Sequence, residues 1–257
     1  MTGSSDCVRV AAVGDIHVGD HGDLPSFDGV DDSADLLLLA GDLTRTGTRA
    51  EVERLAGCLV EVQVPVVAVL GNHDHHSDTP ELVVKVLEAI GVTVLEQSCC
   101  VLEVGEHRVG VAGAKGFGGG MPGVSATAFG EPEMKAFVRH GEQVAGGLSE
   151  ALGALDTDLR LVLLHYSPVL ETLEGEPPEI HAFLGDYRLA EAVDRHGADL
   201  VLHGHAHIGR ERGRTPGGVP VRNVAKPVIR APFRVFELPV HARQLSVTLT
   251  GSATPRR

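Results

Sequence analysis

Residues 64–74, VPVVAVLGNHD, decide the fold. Val66 to Leu70 is an unbroken apolar run, too short for an ordinary helix and rich in β-branched valine, which marks a strand buried on both faces. It stops at Gly71 and gives way to Asn72, His73 and Asp74, side chains that handle protons and metals. The same succession recurs in VRVAAVG (8–14) before Asp15 and His17, and in DLLLLAG (35–41) before Asp42. It recurs again in RLVLL (160–164) before His165, and in DLVLH (199–203) before Gly204-His205-Ala206-His207. In open α/β sheets, ligands bind in the crevice outside the carboxyl ends of the strands. The five segments are therefore expected to converge on one site.

The stretches between these strands carry helical periodicity with definite ends. Thr48 and Glu51 form a capping box ahead of Val52, Leu55, Ala56 and Leu59 on one face. Thr79-Pro80 opens a second helix, lined by Leu82, Val83, Val86, Leu87 and Ile90 and stopped by Gly91. Apolar residues repeat from Met134 to Leu155, and residues 186–196 form a shorter helix closed by Gly197. Residues 92–95, 99–104, 107–113, 219–225, 233–238 and 244–249 read as further strands, some alternating enough to be antiparallel. Strands alternating with helices before a β-rich end predict an α/β domain with mixed sheets over residues 1–250, and a loose tail over 251–257. Two stretches read as loops: the Gly-rich 115–123, KGFGGGMPG, and the Pro/Glu-rich 171–178, ETLEGEPP.

A chain of 257 residues, 43% hydrophobic and 22% charged, can bury a sizeable core and is not of disordered composition. The longest apolar runs, Leu36 to Ala40 and Val66 to Leu70, fall far short of the roughly 20 residues a bilayer demands. The polar start, without a basic segment, predicts a cytoplasmic protein. With 35 acidic against 22 basic residues the net charge is −13, which argues against a long nucleic acid as partner, since phosphate backbones are gripped by Lys and Arg clusters. A small phosphorylated ligand stays compatible where metal ions reverse the local field. The four cysteines fit no metal-binding spacing and read as reduced thiols.

Asp15 and His17 lie two apart, as do His205 and His207; in an extended segment that spacing sends both side chains the same way. The donors are nitrogen and oxygen without thiolate, a set that suits Mn, Fe, Zn, Co or Ni and disfavours a closed structural zinc site. Asp15, Asp42, Asn72, His17, His165, His205 and His207 are too many for one tetrahedral ion and enough for two. Asp42, with two carboxylate oxygens, is the natural bridge between ions about 3.5–4 Å apart.

The order D-x-H, G-D, G-N-H-D, a lone His and G-H-x-H, running from Asp15 to His207, strongly resembles the calcineurin-like metallophosphoesterase superfamily. The resemblance implies a four-layer α/β/β/α sandwich with a dimetal site at the carboxyl ends of the strands. It implies that Asp15, His17 and His207 hold one ion, that Asn72, His165 and His205 hold the other, and that Asp42 bridges them. The ions are then two divalent metals, or one trivalent and one divalent, with Mn, Fe or Zn foremost. His73 becomes the histidine beside the scissile phosphate, oriented by Asp74.

The expected activity is hydrolysis of a small phosphoester by a water bridging the ions, with a phosphodiester ahead of a monoester and His73 giving the leaving group its proton. The fold also serves two rival roles, a non-catalytic metal-binding scaffold and a DNA-repair-type nuclease; the intact ligand set speaks against the first and the acidic charge against the second. His75 and Lys115 are candidate substrate contacts. The five glycines of 115–123 suggest a mobile loop with free backbone N–H groups, and Glu171, Glu174 and Glu176 suggest a rim that repels long polyanions.

Overall fold

The computed structural model describes residues 7–240; the strand expected at 244–249 and the tail at 251–257 lie outside the described residues. In chain order the strands are β1 (Cys7–Val13), β2 (Leu36–Ala40), β3 (Val66–Val69), β4 (Thr93–Val94), β5 (Ser98–Val104), β6 (His107–Ala114), β7 (Gly120–Met121) and β8 (Val124–Ser125). They continue with β9 (Leu159–Leu164), β10 (Leu200–His203), β11 (Arg212–Arg214), β12 (Pro220–Asn223) and β13 (Arg234–Pro239). One sheet has the order β13-β1-β2-β3-β4, parallel except for β13, and the other β11-β12-β10-β9-β6-β5, antiparallel only at its two edges. Both are mixed, as the alternation of elements predicts.

The layers follow from the period-2 alternation of buried strands. Leu159, Leu161 and Leu163 of β9 point into the core shared with the first sheet, together with Val109, Val111, Leu200 and Leu202. Val162, Leu164 and Val201 point the other way, onto Leu148, Leu152 and Val193 of the helices Pro132–Gly153 and Tyr187–His196. Val52, Leu55 and Leu59 of helix Arg49–Leu59 and Val83 and Leu87 of helix Pro80–Ala89 cover the first sheet. The result is the four-layer α/β/β/α sandwich. The Thr48–Glu51 capping box is present, with the Glu51 N–H bound to Thr48 Oγ1 at 3.3 Å and the Thr48 N–H to Glu51 Oε2 at 3.2 Å. No helix among the described residues is long and apolar enough to cross a membrane.

The two stretches expected as loops are more ordered than their composition suggests. Residues 120–125 form the β7–β8 hairpin, while Gly119 N–H donates to the Ala182 carbonyl (2.8 Å) and Gly120 N–H to the Gly185 carbonyl (2.9 Å). The glycines serve close packing rather than mobility: a Cβ on Gly118 would lie 2.8 Å from the Ala182 carbonyl oxygen. Residues 171–178 include a 3₁₀ turn at Glu171–Leu173, and Pro178 opens another.

The parallel strands β1, β2 and β3 of one sheet and β9 and β10 of the other end at the same crest, where the sheets meet. Gly71 is required there, because a Cβ would sit 2.1 Å from Asp42 Oδ1 and 2.2 Å from the Asp42 nitrogen. Gly71→Ala should therefore cost about 1–3 kcal/mol through overpacking. Gly57→Ala, in a helix with nothing within 4 Å of the new methyl, should stabilise by up to about 1 kcal/mol. Thermal melts of the two variants check this; a Gly71→Ala protein as stable as the parent would contradict the packing.

Candidate metal centre

The segments after the five strand ends meet at the crest, and the backbone there is under strain. Among the described residues seven non-glycine residues have positive φ, and four are Asp15 (56°), His17 (50°), Asp42 (48°) and His205 (69°). Each such conformation costs on the order of 1–2 kcal/mol, and residues held this way cluster at functional sites. The D-x-H and H-x-H pairs are thus not extended, as their spacing suggested; left-handed turns aim their side chains inward instead.

Seven side chains come together in two sets that share Asp42. Donor atoms of Asp15, His17, Asp42 and His207 lie within 4.8 Å of one another, and so do those of Asp42, His165 and His205. Asn72 joins the second set, with Oδ1 3.0 Å from His165 Nε2. In the first set, His207 Nε2 is 2.7 Å from Asp15 Oδ1. His17 Nε2 is 3.9 Å from Asp15 Oδ1 and 3.7 Å from Asp42 Oδ2. His17 Nε2 is also buried with no hydrogen-bond partner, an orphaned ring nitrogen facing two carboxylates. That atom, the spacing and the N/O donor set fit a divalent ion.

Other hydrogen bonds hold these rings from behind, as metal-ligating histidines require. His165 Nδ1 donates to the Ala40 carbonyl across the two sheets (2.9 Å), which turns Nε2 toward Asp42 Oδ1 at 3.3 Å. His205 Nε2 donates to the Phe183 carbonyl (3.2 Å), and the His205 backbone N–H is bound by both Asp15 oxygens (3.1 and 2.9 Å). The electrostatics follow from this crowding. Burial opposes charge on Asp42, yet the charge and hydrogen bond of His165 and the His73 N–H hold its carboxyl below the usual range. Burial likewise opposes the His165 imidazolium, but Asp42 outweighs it and raises the ring to about 9. Burial and the His165 charge push His205 down to about 3, which keeps the ring neutral, the form in which an imidazole can hold a metal.

His73 stands at the rim, its side chain 44% exposed and its Nε2 3.9 Å from Asp42 Oδ2. Asp74 does not orient this ring, contrary to what the resemblance implies. Asp74 is fully buried and accepts from the Gly71 N–H (2.8 Å), the Thr44 N–H (2.8 Å), Thr44 Oγ1 (2.6 Å) and the Leu43 N–H (3.2 Å). His73 Nδ1 instead lies 2.7 Å from the Arg45 carbonyl. A carbonyl can only accept, so Nδ1 carries the proton and Nε2 faces the crevice. Asp74 acts one step back, by pinning the Thr44–Arg45 turn that supplies this carbonyl.

Lys115 directly follows β6, which runs parallel to β9, so it too sits at a strand's carboxyl end. Its carbonyl accepts the N–H groups of His165 and Tyr166 (both 3.0 Å), and its Nζ lies 5.3 Å from the Tyr166 ring centre. Burial lowers its pKa, while Glu96 and Asp42 pull the other way. It is a half-buried lysine within reach of the Asp42 charge, not a solvated loop residue. His75 is half-buried beside it, its pKa lowered by burial and by the Lys115 charge. Tyr166, absent from the motifs, packs against His205 with ring centres 4.4 Å apart and the planes tilted by 41°; its signal was its place right after the lone histidine. The acidic rim is not as expected either. Glu174 is paired to Arg210 at 2.6 Å, and Glu176 is buried against the Ile208 N–H at 2.8 Å.

Residues 8–209 match the family model of the calcineurin-like phosphoesterases. A protein of Synechococcus sp. named as a probable cyclic nucleotide phosphodiesterase is 29% identical over 221 residues, 86% of this chain and 74% of that one. The phosphopantetheinyl hydrolase of Mycobacterium tuberculosis superposes with a TM-score of 0.63 over 88% of this chain and 95% of its own, at 16% identity. GAP50, the anchor in the inner membrane complex of Plasmodium, gives 0.54 over 86% of this chain and 72% of its own, at 11% identity. At such identities these two structures speak for the fold alone. The family match spans most of the chain and every motif at the crest: the protein belongs to the calcineurin-like phosphoesterases, hydrolases that act on phosphoester bonds.

Proposed function

We propose that the crest hydrolyses a small phosphoester, a phosphodiester in preference to a monoester. The observation that carries this reading is the pair of ligand sets joined at Asp42, with the Nε2 of His73 aimed into the same space. The name of the Synechococcus relative supports the diester. Asp15, His17 and His207 would hold one ion, Asn72, His165 and His205 the other, and Asp42 both. Two such ions supply Lewis acidity, which makes water nucleophilic at neutral pH and offsets charge growing on the phosphoryl oxygens.

The chain's own groups do the rest. Asp15 and Asp42 bring two negative charges, which favour cations over bare anions, and an ion held by His165 would displace the proton that Asp42 otherwise keeps on that ring. His73, held through Nδ1–H by the Arg45 carbonyl, acts as the imidazolium: it gives its Nε2 proton to the departing alkoxide and is left as the neutral Nδ1–H ring. Asp74 keeps the Thr44–Arg45 turn in place, so that the proton is delivered from a fixed point. Lys115 and His75 line the side of the crevice nearest the Asp42 carboxylate and bind the substrate's phosphate or leaving group.

His73→Ala should retain its metals and lose about 10²–10⁴ in kcat on alkyl esters, the range for removal of a general acid. The loss should shrink for nitrophenyl esters, whose leaving group needs no proton. Equal losses on both would assign His73 to phosphate positioning instead. Lys115→Ala should raise KM on the favoured ester with metal content unchanged; an unaltered KM would remove Lys115 from the substrate site.

A further inference from the structure

Aromatic side chains are scarce in this chain, with 7 Phe, 2 Tyr and no Trp, yet several gather on one flank of the metal centre. Tyr166 packs on His205; Phe117 lies 6.2 Å from Tyr166 and 5.0 Å from Phe137, and Phe137 lies 6.5 Å from Phe183 in an edge-to-face arrangement. The row returns to the centre, because the Phe183 carbonyl is the group that holds His205. Between the β7–β8 hairpin, the start of helix Pro132–Gly153 and helix His181–Leu184 opens a cleft of about 440 Å³, lined by Val124, Ser125, Met134, Phe137, Ala182 and Phe183. Its volume falls within the range of small-molecule pockets.

Val124 and Phe183 are left 70% and 60% exposed at this cleft, and Phe129 nearby in sequence is 85% exposed. Contiguous apolar exposure of this kind marks a binding surface. The cleft is also rigidly built, since the Gly119 and Gly120 N–H groups tie the hairpin to the helix that carries Phe183. Lys115 stands between Phe117 of this aromatic row and Tyr166 beside His205, its Nζ 5.4 and 5.3 Å from their ring centres.

We propose that this cleft takes the organic group of the substrate, an uncharged apolar ring, while the phosphate sits at the metal centre. The inference rests on the phosphoesterase reading above and narrows its substrate class. An aromatic ring packs edge-to-face against Phe137 and Phe183. Ser125 is the polar side chain of the lining, so a hydrocarbon ring suits the cleft better than a nucleobase, whose edge groups would lose their hydrogen bonds to water.

Three diesters that share a 4-nitrophenyl leaving group test this, with methyl, phenyl or thymidine 5′ as the second alcohol, so that the chemical step is constant. The phenyl ester should exceed the methyl ester in kcat/KM by about 10-fold or more, the scale of burying a few apolar carbons. Val124→Ser/Met134→Ser should bring that ratio toward one and leave the methyl value unchanged. A ratio near one in the parent, a ratio insensitive to the variant, or a thymidine ester favoured over phenyl would overturn the proposal. If none of the three turns over, the diester reading fails and the cleft is judged by binding. The fluorescence of 1-naphthyl phosphate, free of any Trp background, should report a Kd about 10-fold weaker in Phe183→Ser. An unchanged Kd would overturn it.

Discussion

The carboxylate of Asp42 is buried to 1% exposure, and the architecture of the crest follows from how that charge is accommodated. An ionised carboxylate removed from water is costly unless it is paired and hydrogen-bonded. Here the His73 N–H donates to Oδ1 at 2.8 Å, His165 Nε2 approaches Oδ1 at 3.3 Å, and His17 and His73 flank Oδ2 at 3.7 and 3.9 Å. Three segments from two sheets thus converge on one side chain. Gly71 is a glycine because it touches Asp42, and Gly41 because a Cβ there would lie 2.7 Å from His165. The strained φ values of Asp15, His17, Asp42 and His205 persist because the sandwich beneath over-determines them.

Much of this was legible in the sequence, for definite physical reasons. Parallel strands covered on both faces must be continuously apolar, so VPVVAVL and RLVLL declare themselves, and their ends declare where ligands gather. The capping box at Thr48–Glu51 and the stop at Gly197 are local chemistry and survive folding. The metal-ligand candidates stood out because polar residues recur directly after apolar runs.

What was not legible depends on contacts remote in sequence. Asp74 follows His73 directly, yet its oxygens are committed to Leu43, Thr44 and Gly71, and the His73 ring is held by Arg45 from another loop. The glycines of 115–123 suggested freedom, whereas Gly118 and Gly119 are packed against Ala182 and Asp186; composition cannot distinguish a glycine that moves from one that lets another backbone pass. The aromatic flank arises from residues 117, 137, 166 and 183, spread over four segments without a shared motif. The reaction class is therefore written in contiguous motifs, while the aromatic flank proposed to select the substrate is assembled only by folding.

If one buried carboxylate, Asp42, joins two metal sites, the metal stoichiometry will show it. Calorimetric titration of the purified chain with manganese or zinc, checked by elemental analysis, should give two equivalents for the parent protein. In Asp42→Asn both equivalents should weaken together, whereas His207→Ala should weaken one and retain the other. A parent protein that binds a single equivalent, or an Asp42→Asn protein that loses only one of two, would contradict the account.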